Sequence, residues 1–535
     1  MASLLKPQPP PRAPAGPSTG RGKATGGYAA PGAFDLLMRE LEANGNAGLH
    51  RGRSNSRSRQ PVSARVPSAS RRNSNGALGD VTNRQPSQHR PKPPAAAAAA
   101  PHTARNQPSA AANLTPRDPA PTTTTTTSTT PRASDGGSGG MSWQDAVGQY
   151  ASQLTAFEAR EIQNFPKVYY CGQRCTRKVH AMELSGTNNH GFDDAQGDYK
   201  VVMEDHIAFR YQLLAPLGRG SFGQVSKALD HKTGQHVALK IIKNKKKFHE
   251  QALVEVKVLK HLNGKDADGA SNVVRMLSHF KFRNHMVIAF ELHGQSLYDL
   301  HKAHRFAPMT LSAIRNFGRQ MLQTLVLTHR EHVVHCDLKP ENVLLVQGSK
   351  SRLSVIDFGS ACFDSERLYT YIQSRFYRAP EVLLGIPYTP QIDVWSLGCM
   401  LAEFSNGYPL FAGESENQQM LLIMETFGLP PRSMLDRAPR KRIFFDASGT
   451  PKLVPNSRGR TPRPNTKSLA AFVQCTDPDF LDLLKGLLTY EPERRLTPSE
   501  ALRHPFFASS SSTAAAASAG AAEPLLPRLQ PSKRR

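Results

Sequence analysis

The sequence predicts an α+β fold of two lobes, a small β-rich lobe followed by a large α-helical one, carried between long disordered flanks. Three observations lead there. From Phe209 onward, YQLLAPLG, GQVSKALD and HVALKIIK follow one another as strand patterns, with the turn residues DHKTGQ between the last two. Beyond Leu292 long helical periodicity takes over, as in LSAIRNFGRQMLQTLVLTH. The first 140 or so residues are instead Pro, Ala, Ser, Thr, Gly and Arg, with runs such as PPAAAAAAP and TTTTTTSTT. Such a stretch buries too little apolar surface to offset chain entropy. The division that results is a basic disordered tail over 1–141, an ordered lead-in over 142–208, the two lobes over 209–507, and a second disordered tail over 508–535. The cleft between the lobes is the expected site.

Charge and cysteine usage narrow the class. The chain has 535 residues and a formal charge of +25; residues 1–140 hold 18 Lys+Arg against 6 Asp+Glu, about half of the excess. No zinc-finger, RNA-recognition or helix-turn-helix pattern accompanies that charge, so specific nucleic-acid binding is not expected. RRNS, Arg71 to Ser74, has the form of a basophilic kinase target and marks the tail as regulatory. Six scattered cysteines do not form a secreted framework, and we read them as reduced thiols of an intracellular protein, cytoplasmic, nuclear or both. No apolar run approaches the ~18–20 residues of a membrane span, so no membrane partner is expected. Within the tail, AFDLLMRELEAN places Phe34, Leu37, Met38 and Leu41 on one helix face, a candidate docking segment over 33–44 for a protein partner.

The lead-in begins near Ser142, where Trp143, Val147, Tyr150, Leu154, Phe157 and Ile162 follow helical spacing; KVYYCGQRC then reads as a strand, and HGFDDAQGDYKVV as an Asp/Gly-rich turn followed by alternating residues.

Chemistry enters with LGRGSFGQV, Leu217 to Val225. Gly218, Gly220 and Gly223 let backbone approach nucleotide phosphates. The same pattern occurs in dinucleotide-binding folds, but there a helix follows, and here a strand does. Val237-Ala238-Leu239-Lys240 offers a cation to the phosphates, and Glu255, flanked by apolar residues of QALVEVKVL, is its expected partner. VVHCDLKPEN supplies Asp337 as the base that orients a substrate hydroxyl, Lys339 to neutralise the transferring phosphoryl, and Asn342; with Asp357 of Asp357-Phe358-Gly359, Asn342 offers the hard oxygens that Mg²⁺ requires. Ala379-Pro380-Glu381 follows, with Arg495 placed to pair with Glu381. Two other classes remain as alternatives: a pseudokinase scaffold, which commonly lacks one of the residues at Lys240, Asp337 or Asp357, and a basic nucleic-acid-associated protein.

Seven such elements in this order resemble the eukaryotic protein kinases over residues 209–507. Arg378 before Ala-Pro-Glu resembles the proline-directed (CMGC) group, and Tyr369-Thr370-Tyr371, Ser374-Arg375-Phe376-Tyr377 and His335-Cys336-Asp337 are similar to the dual-specificity tyrosine-regulated kinases. QLTAFEAREI and HGFDDAQGDY are similar to the accessory region and homology box of that family's second class. The resemblance implies a two-lobed kinase fold, ATP and Mg²⁺, protein substrates, and a nucleotide site at Leu217, Gly218, Arg219, Gly220, Ser221, Phe222, Gly223, Gln224, Val225, Ala238, Lys240 and Leu344, with Phe290 as gatekeeper and Glu291, Leu292 and His293 as hinge. It also implies cis autophosphorylation of Tyr371, supported by the accessory region, then action on Ser and Thr with Arg at −3, received by Glu341, and Pro at +1. Arg458-Gly-Arg-Thr461-Pro462 fits that consensus, so Thr461 is an expected modification site; Thr497 fits as well but reads as a helix N-cap.

The position between His335 and Asp337 is usually arginine, which receives the activation-segment phosphate; here it is Cys336. Arg375 and Arg378 are the nearest alternative receivers for phosphate on Tyr371. Cys336 and Cys362 flank the catalytic and metal loops and are expected to form a reversible inhibitory disulfide.

Overall fold

A computed structural model describes residues 139–182, 188–367 and 369–508. The docking segment at 33–44, Ser74 and both expected disordered tails beyond residue 508 and before 139 lie outside the described residues.

The lead-in folds as two short helices and a wrapped loop. Helix α1 (Trp143–Tyr150) starts at Ser142, whose Oγ accepts the Asp145 N–H. The continuous helical spacing expected through Ile162 is interrupted, because Thr155 and Glu158 form a reciprocal capping box that opens a new helix, α2 (Ala156–Glu161). KVYYCGQRC is not a strand. Val168 alone bridges Met141, and the N–H groups of Tyr169 and Tyr170 both donate to the Phe209 carbonyl. Val168 and Cys171 are instead buried one by one against Ala146, Ile162 and Phe209 in a small separate core, so burial rather than ladder pairing explains their apolar character.

The small lobe is a six-stranded antiparallel sheet in the order β1-β2-β3-β4-β6-β5, from β1 (His206–Ile207), β2 (Tyr211–Gly220), β3 (Gly223–Asp230), β4 (Gln235–Ile242), β5 (Met276–Phe282) and β6 (His285–Glu291). Helix α3 (Lys246–Lys265) crosses it and buries Ala252, Glu255, Val256, Leu259 and Leu262 on one face.

The large lobe is helical. Helices α4 (Leu297–Ala303), α5 (Leu311–Arg330), α6 (Pro380–Leu384), α7 (Gln391–Asn406) and α8 (Glu416–Phe427) are followed by α9 (Leu469–Val473), α10 (Pro478–Leu487) and α11 (Pro498–Leu502), with shorter turns between α8 and α9. Helix α7 is its axis, buried from Ile392 to Phe404. Thr497 caps α11, as its sequence context implied, in a second capping box with Glu500. Arg495 and Glu381 meet as read, at 2.8 and 3.0 Å with both side chains wholly buried. No helix among the described residues is long and apolar enough to cross a membrane.

Between the lobes, short strands carry the loops that matter. β7 (Val333–Val334) pairs with β10 (Cys362–Phe363), and β8 (Val343–Leu345) with β9 (Leu353–Val355). The loop before Asn342 and the loop after Asp357 are thereby held side by side.

Candidate active site

Strand β4 carries Lys240 toward the cleft, and the buried face of α3 carries Glu255 to meet it: Lys240 Nζ donates to both Glu255 oxygens at 2.7 and 2.9 Å and to Asp357 Oδ1 at 2.8 Å. Burial alone would lower the lysine pKa, but the carboxylates of Asp357 and Glu255 overcome it and hold it above the usual lysine range. Burial likewise opposes ionisation of Asp357, yet Lys240 beside it brings its carboxyl down to about 2. A side chain at Gly359 would crowd this convergence, since a Cβ there lies 3.0 Å from Asp357 Oδ1 and 3.1 Å from Lys240 Nζ.

The 335–342 loop is fixed from behind. The backbone N–H groups of His335 and Cys336 both donate to the Asp393 carboxylate of α7, at 2.7 and 3.1 Å; His335 Nδ1 accepts the Asp337 N–H at 3.2 Å, so Nε2 carries the proton given to the Ile356 carbonyl at 3.0 Å. Burial pushes the Asp393 carboxyl up to about 6 despite those donors. Cys336 takes a left-handed conformation, φ 65°. The Asp337 carboxylate is held by its neighbours, Oδ2 accepting from Lys339 Nζ at 2.7 Å and Oδ1 from Ser374 Oγ at 2.7 Å; Asp337 and Lys339 adjoin the cleft through Asn342 and do not line it. The Asn342 amide donates to the Asp337 carbonyl at 2.9 Å, so its amide oxygen is the atom it has left to offer.

Lys240, Glu255, Asn342, Glu341 and Asp357 line one cleft of about 410 Å³ with Leu217, Gly218, Arg219, Gly220, Phe222, Gly223, Val225, Ala238, Phe290, Glu291, Leu292, His293 and Leu344. Ser221 belongs to the β2–β3 turn but not to the cleft wall, and the Gln224 side chain turns outward to donate to the Tyr199 carbonyl. Gly223 sits at φ 153°, where a Cβ would run into the Ile241 carbonyl.

Farther along, the segment from Tyr369 to Arg378 packs on the large lobe. The Arg378 guanidinium lies 4.2 Å from the Tyr371 ring centroid, donates from Nε to the Ile372 carbonyl and from Nη2 to the Gln373 carbonyl, and is wholly buried. Arg375 Nη1 donates to the carbonyls of Gly413 and Glu414, both at 3.0 Å. Tyr369 is exposed, and its carbonyl accepts from the Tyr388 hydroxyl. Thr461 is half-buried in the turn after Asn456, between Arg460, paired with Glu425, and buried Pro462. Cys336 Sγ and Cys362 Sγ are 3.9 Å apart and buried. The hydrogen bond with Cys336 lowers the Cys362 thiol to about 7, and burial raises that of Cys336.

A group the sequence reading missed lies beside Glu341. Glu403 of α7, buried, accepts from the Tyr377 hydroxyl at 2.7 Å. Burial lifts its carboxyl to about 8, and Glu341 Oε2 is shielded from water with no hydrogen-bond partner among the described residues. The signal was present: one carboxylate stands inside the apolar run CMLAEF, where charge is seldom buried without a task.

The sequence that builds this site is matched by known proteins. The protein kinase domain model matches residues 211–507. The human dual specificity tyrosine-phosphorylation-regulated kinase 4 is 46% identical over 366 residues, 68% of this chain and 70% of that protein. The chain belongs to the dual-specificity tyrosine-regulated (DYRK) kinase family. The Drosophila melanogaster kinase 2 of that name is 46% identical over 371 residues, and the DYRK-family kinase pom1 of Schizosaccharomyces pombe 48% over 353; the match spans about half of the former's length and a third of the latter's. In this DYRK-family chain, apolar walls at Val225, Ala238 and Leu344, a buried cation at Lys240 and the oxygens of Asn342 and Asp357 suit a nucleotide with a hard divalent cation.

Proposed function

We propose that this chain is an ATP-dependent dual-specificity protein kinase, matured by autophosphorylation of Tyr371 and then acting on Ser and Thr of protein substrates. One observation carries the reading: Lys240, Glu255 and Asp357 are closed into a 2.7–2.9 Å triad in one cleft, and Asn342 of that cleft donates to the carbonyl of Asp337, whose carboxylate accepts from Lys339. A pseudokinase scaffold has no use for all of these. Asp337 orients the acceptor hydroxyl and takes up its proton, and Lys339 stands ready for charge on the transferring phosphoryl. Asn342 and Asp357 would hold Mg²⁺, which supplies neutralisation of phosphate charge.

Specificity follows from the neighbouring groups. Glu341 and Glu403 form an acidic recess that a substrate guanidinium at −3 satisfies. At +1, Gln373 is left-handed at φ 66° and its carbonyl already accepts from Arg378 Nη2 at 2.8 Å; a substrate N–H finds no acceptor there, so proline, which has none, loses nothing. For Tyr371, the arginine beneath its ring supports receipt of a phosphate close by, with Arg378 better placed than Arg375.

The test is an oriented peptide-library assay of wild type beside Lys240→Arg and Asp337→Asn, with phosphotyrosine mapping. Wild type is expected to select Arg at −3 and Pro at +1 and to carry phosphate on Tyr371; equal turnover by Asp337→Asn would refute the proposal.

A further inference from the structure

Arg219 stands between Gly218 and Gly220 at the end of β2, paired with Gln224 beside the turn over the cleft, but its guanidinium is spent on the homology box. Nη2 donates to Asp198 Oδ2 at 2.6 Å and to Asp194 Oδ2 at 3.1 Å. Neither carboxylate lines the cleft. Asp198 is 3% exposed, has Lys243 Nζ at 3.4 Å, and its Oδ1 is shielded with no hydrogen-bond partner among the described residues, so its charge depends on these two cations. Asp194 is no loose end: its Oδ1 accepts the N–H groups of Gln196 and Asp198, both at 2.9 Å. The opposing strand is fastened to the same loop, through Gln224 and the Tyr199 carbonyl. The box itself is pinned to the sheet by His285 Nε2 and Asn244 Nδ2, which reach Asp193 at 2.8 and 2.9 Å.

Both strands of the nucleotide hairpin are therefore held, from the side away from the cleft, by residues 193–199, which precede the matched kinase domain. A glycine-rich turn is costly to order, and a turn already held in shape spares the ligand that cost. We propose that Arg219 is a positioning residue: through Asp194 and Asp198 the homology box holds the glycine-rich turn over the cleft and so sets nucleotide affinity. The inference rests on reading the cleft as an ATP site.

The experiment measures ATP and ADP dissociation constants, KM for ATP, KM for peptide and the thermal midpoint of the full chain. It compares wild type with Arg219→Gln, Asp194→Asn, their double variant and Arg219→Lys. Nucleotide binding is expected to weaken about three- to tenfold in Arg219→Gln and about threefold in Asp194→Asn, the discounted scale of a partly exposed pair. The double variant is expected to be no worse than Arg219→Gln, Arg219→Lys to recover most of the loss, and peptide KM to stay put; the thermal midpoint should stay put in Asp194→Asn and fall in Arg219→Gln, which strips a cation from buried Asp198. Loss in Arg219→Gln with wild-type affinity in Asp194→Asn would show that Arg219 touches the nucleotide itself and overturn the tether, as would both variants binding within twofold of wild type. A wild-type chain that binds no nucleotide overturns the cleft reading as well.

Discussion

Arg283→Ala should detach the lead-in from the small lobe. Arg283 lies in the β5–β6 turn at φ 44°, with its side chain 2% exposed. Its Nε and Nη2 fork onto Glu161 at 2.8–3.1 Å, Nη2 also reaches Glu158 at 3.3 Å, Nη1 donates to the Tyr199 hydroxyl at 2.9 Å, and the guanidinium sits 4.1 Å from the Phe192 centroid. Removing one partner of a buried pair costs about 3–5 kcal/mol. Glu158 keeps Lys178 at 2.9 Å and His206 at 3.0 Å, and Glu161 is 13% exposed and can regain water, which places the loss near the low end. The lost stacking on Phe192 adds roughly 1 kcal/mol. A total of about 4 kcal/mol shifts the docking equilibrium roughly a thousandfold, at about 1.4 kcal/mol per decade. Amide hydrogen exchange of α1 and α2 reads this directly: protection there should fall by that factor while β2–β4 keep theirs. Phosphate on Tyr371, followed by mass spectrometry from first synthesis, should fall with it. Arg283→Lys, which keeps charge but not the fork, should be intermediate. Unchanged exchange in α2 together with full Tyr371 phosphorylation would refute the reasoning.

Three other outcomes are expected. Because Glu403 is raised to about 8 from 4.5, its contribution to stability is whole below pH 4.5 and is lost as pH rises through 8; a substrate Arg must displace that proton, so KM for an Arg−3 peptide should fall between pH 7 and 8.5 while an Ala−3 peptide shows no trend. Glu403→Gln should flatten the profile and lower kcat/KM for the Arg−3 peptide roughly 10- to 100-fold. Peroxide should inactivate the kinase by oxidising Cys362 to a sulfenic acid, which Cys336 attacks with loss of water to leave a disulfide; dithiothreitol should reverse it and Cys362→Ser should resist, and unchanged sensitivity of that variant would sink the idea. Active enzyme should carry phosphate on Thr461 and Asp337→Asn should not, by mass spectrometry; bare Thr461 in active protein ends that claim.

Much of the cleft was legible because its residues sit in short motifs whose spacing is set by backbone geometry: Lys240 on a strand, Asp337 in a fixed loop, Asp357 after another. Even the distant Arg495 and Glu381 could be paired. What the sequence hid was of two kinds. Glu403 and Tyr377 act through a contact between elements 26 residues apart, and neither has a local pattern. KVYYCGQRC carried a strand's composition but folds as a loop, because Val168, Tyr170 and Cys171 are buried without a neighbouring strand to pair with; helical spacing through Ile162 concealed a capping box that cut the helix in two. Residue type in these places reports burial, and only the fold tells which kind.

The joint at Arg283 has a consequence in time. A chain is made from its N-terminus, and domains acquire structure in that order. Glu158 and Glu161 are polymerised more than 120 residues before the arginine that satisfies them, so the lead-in has no complete seat until the β5–β6 turn has been synthesised. Tyr371 is added later still. By the time the activation segment leaves the ribosome, every residue of the small lobe and its lead-in has been synthesised, so both halves of the Arg283 joint are present before the tyrosine is.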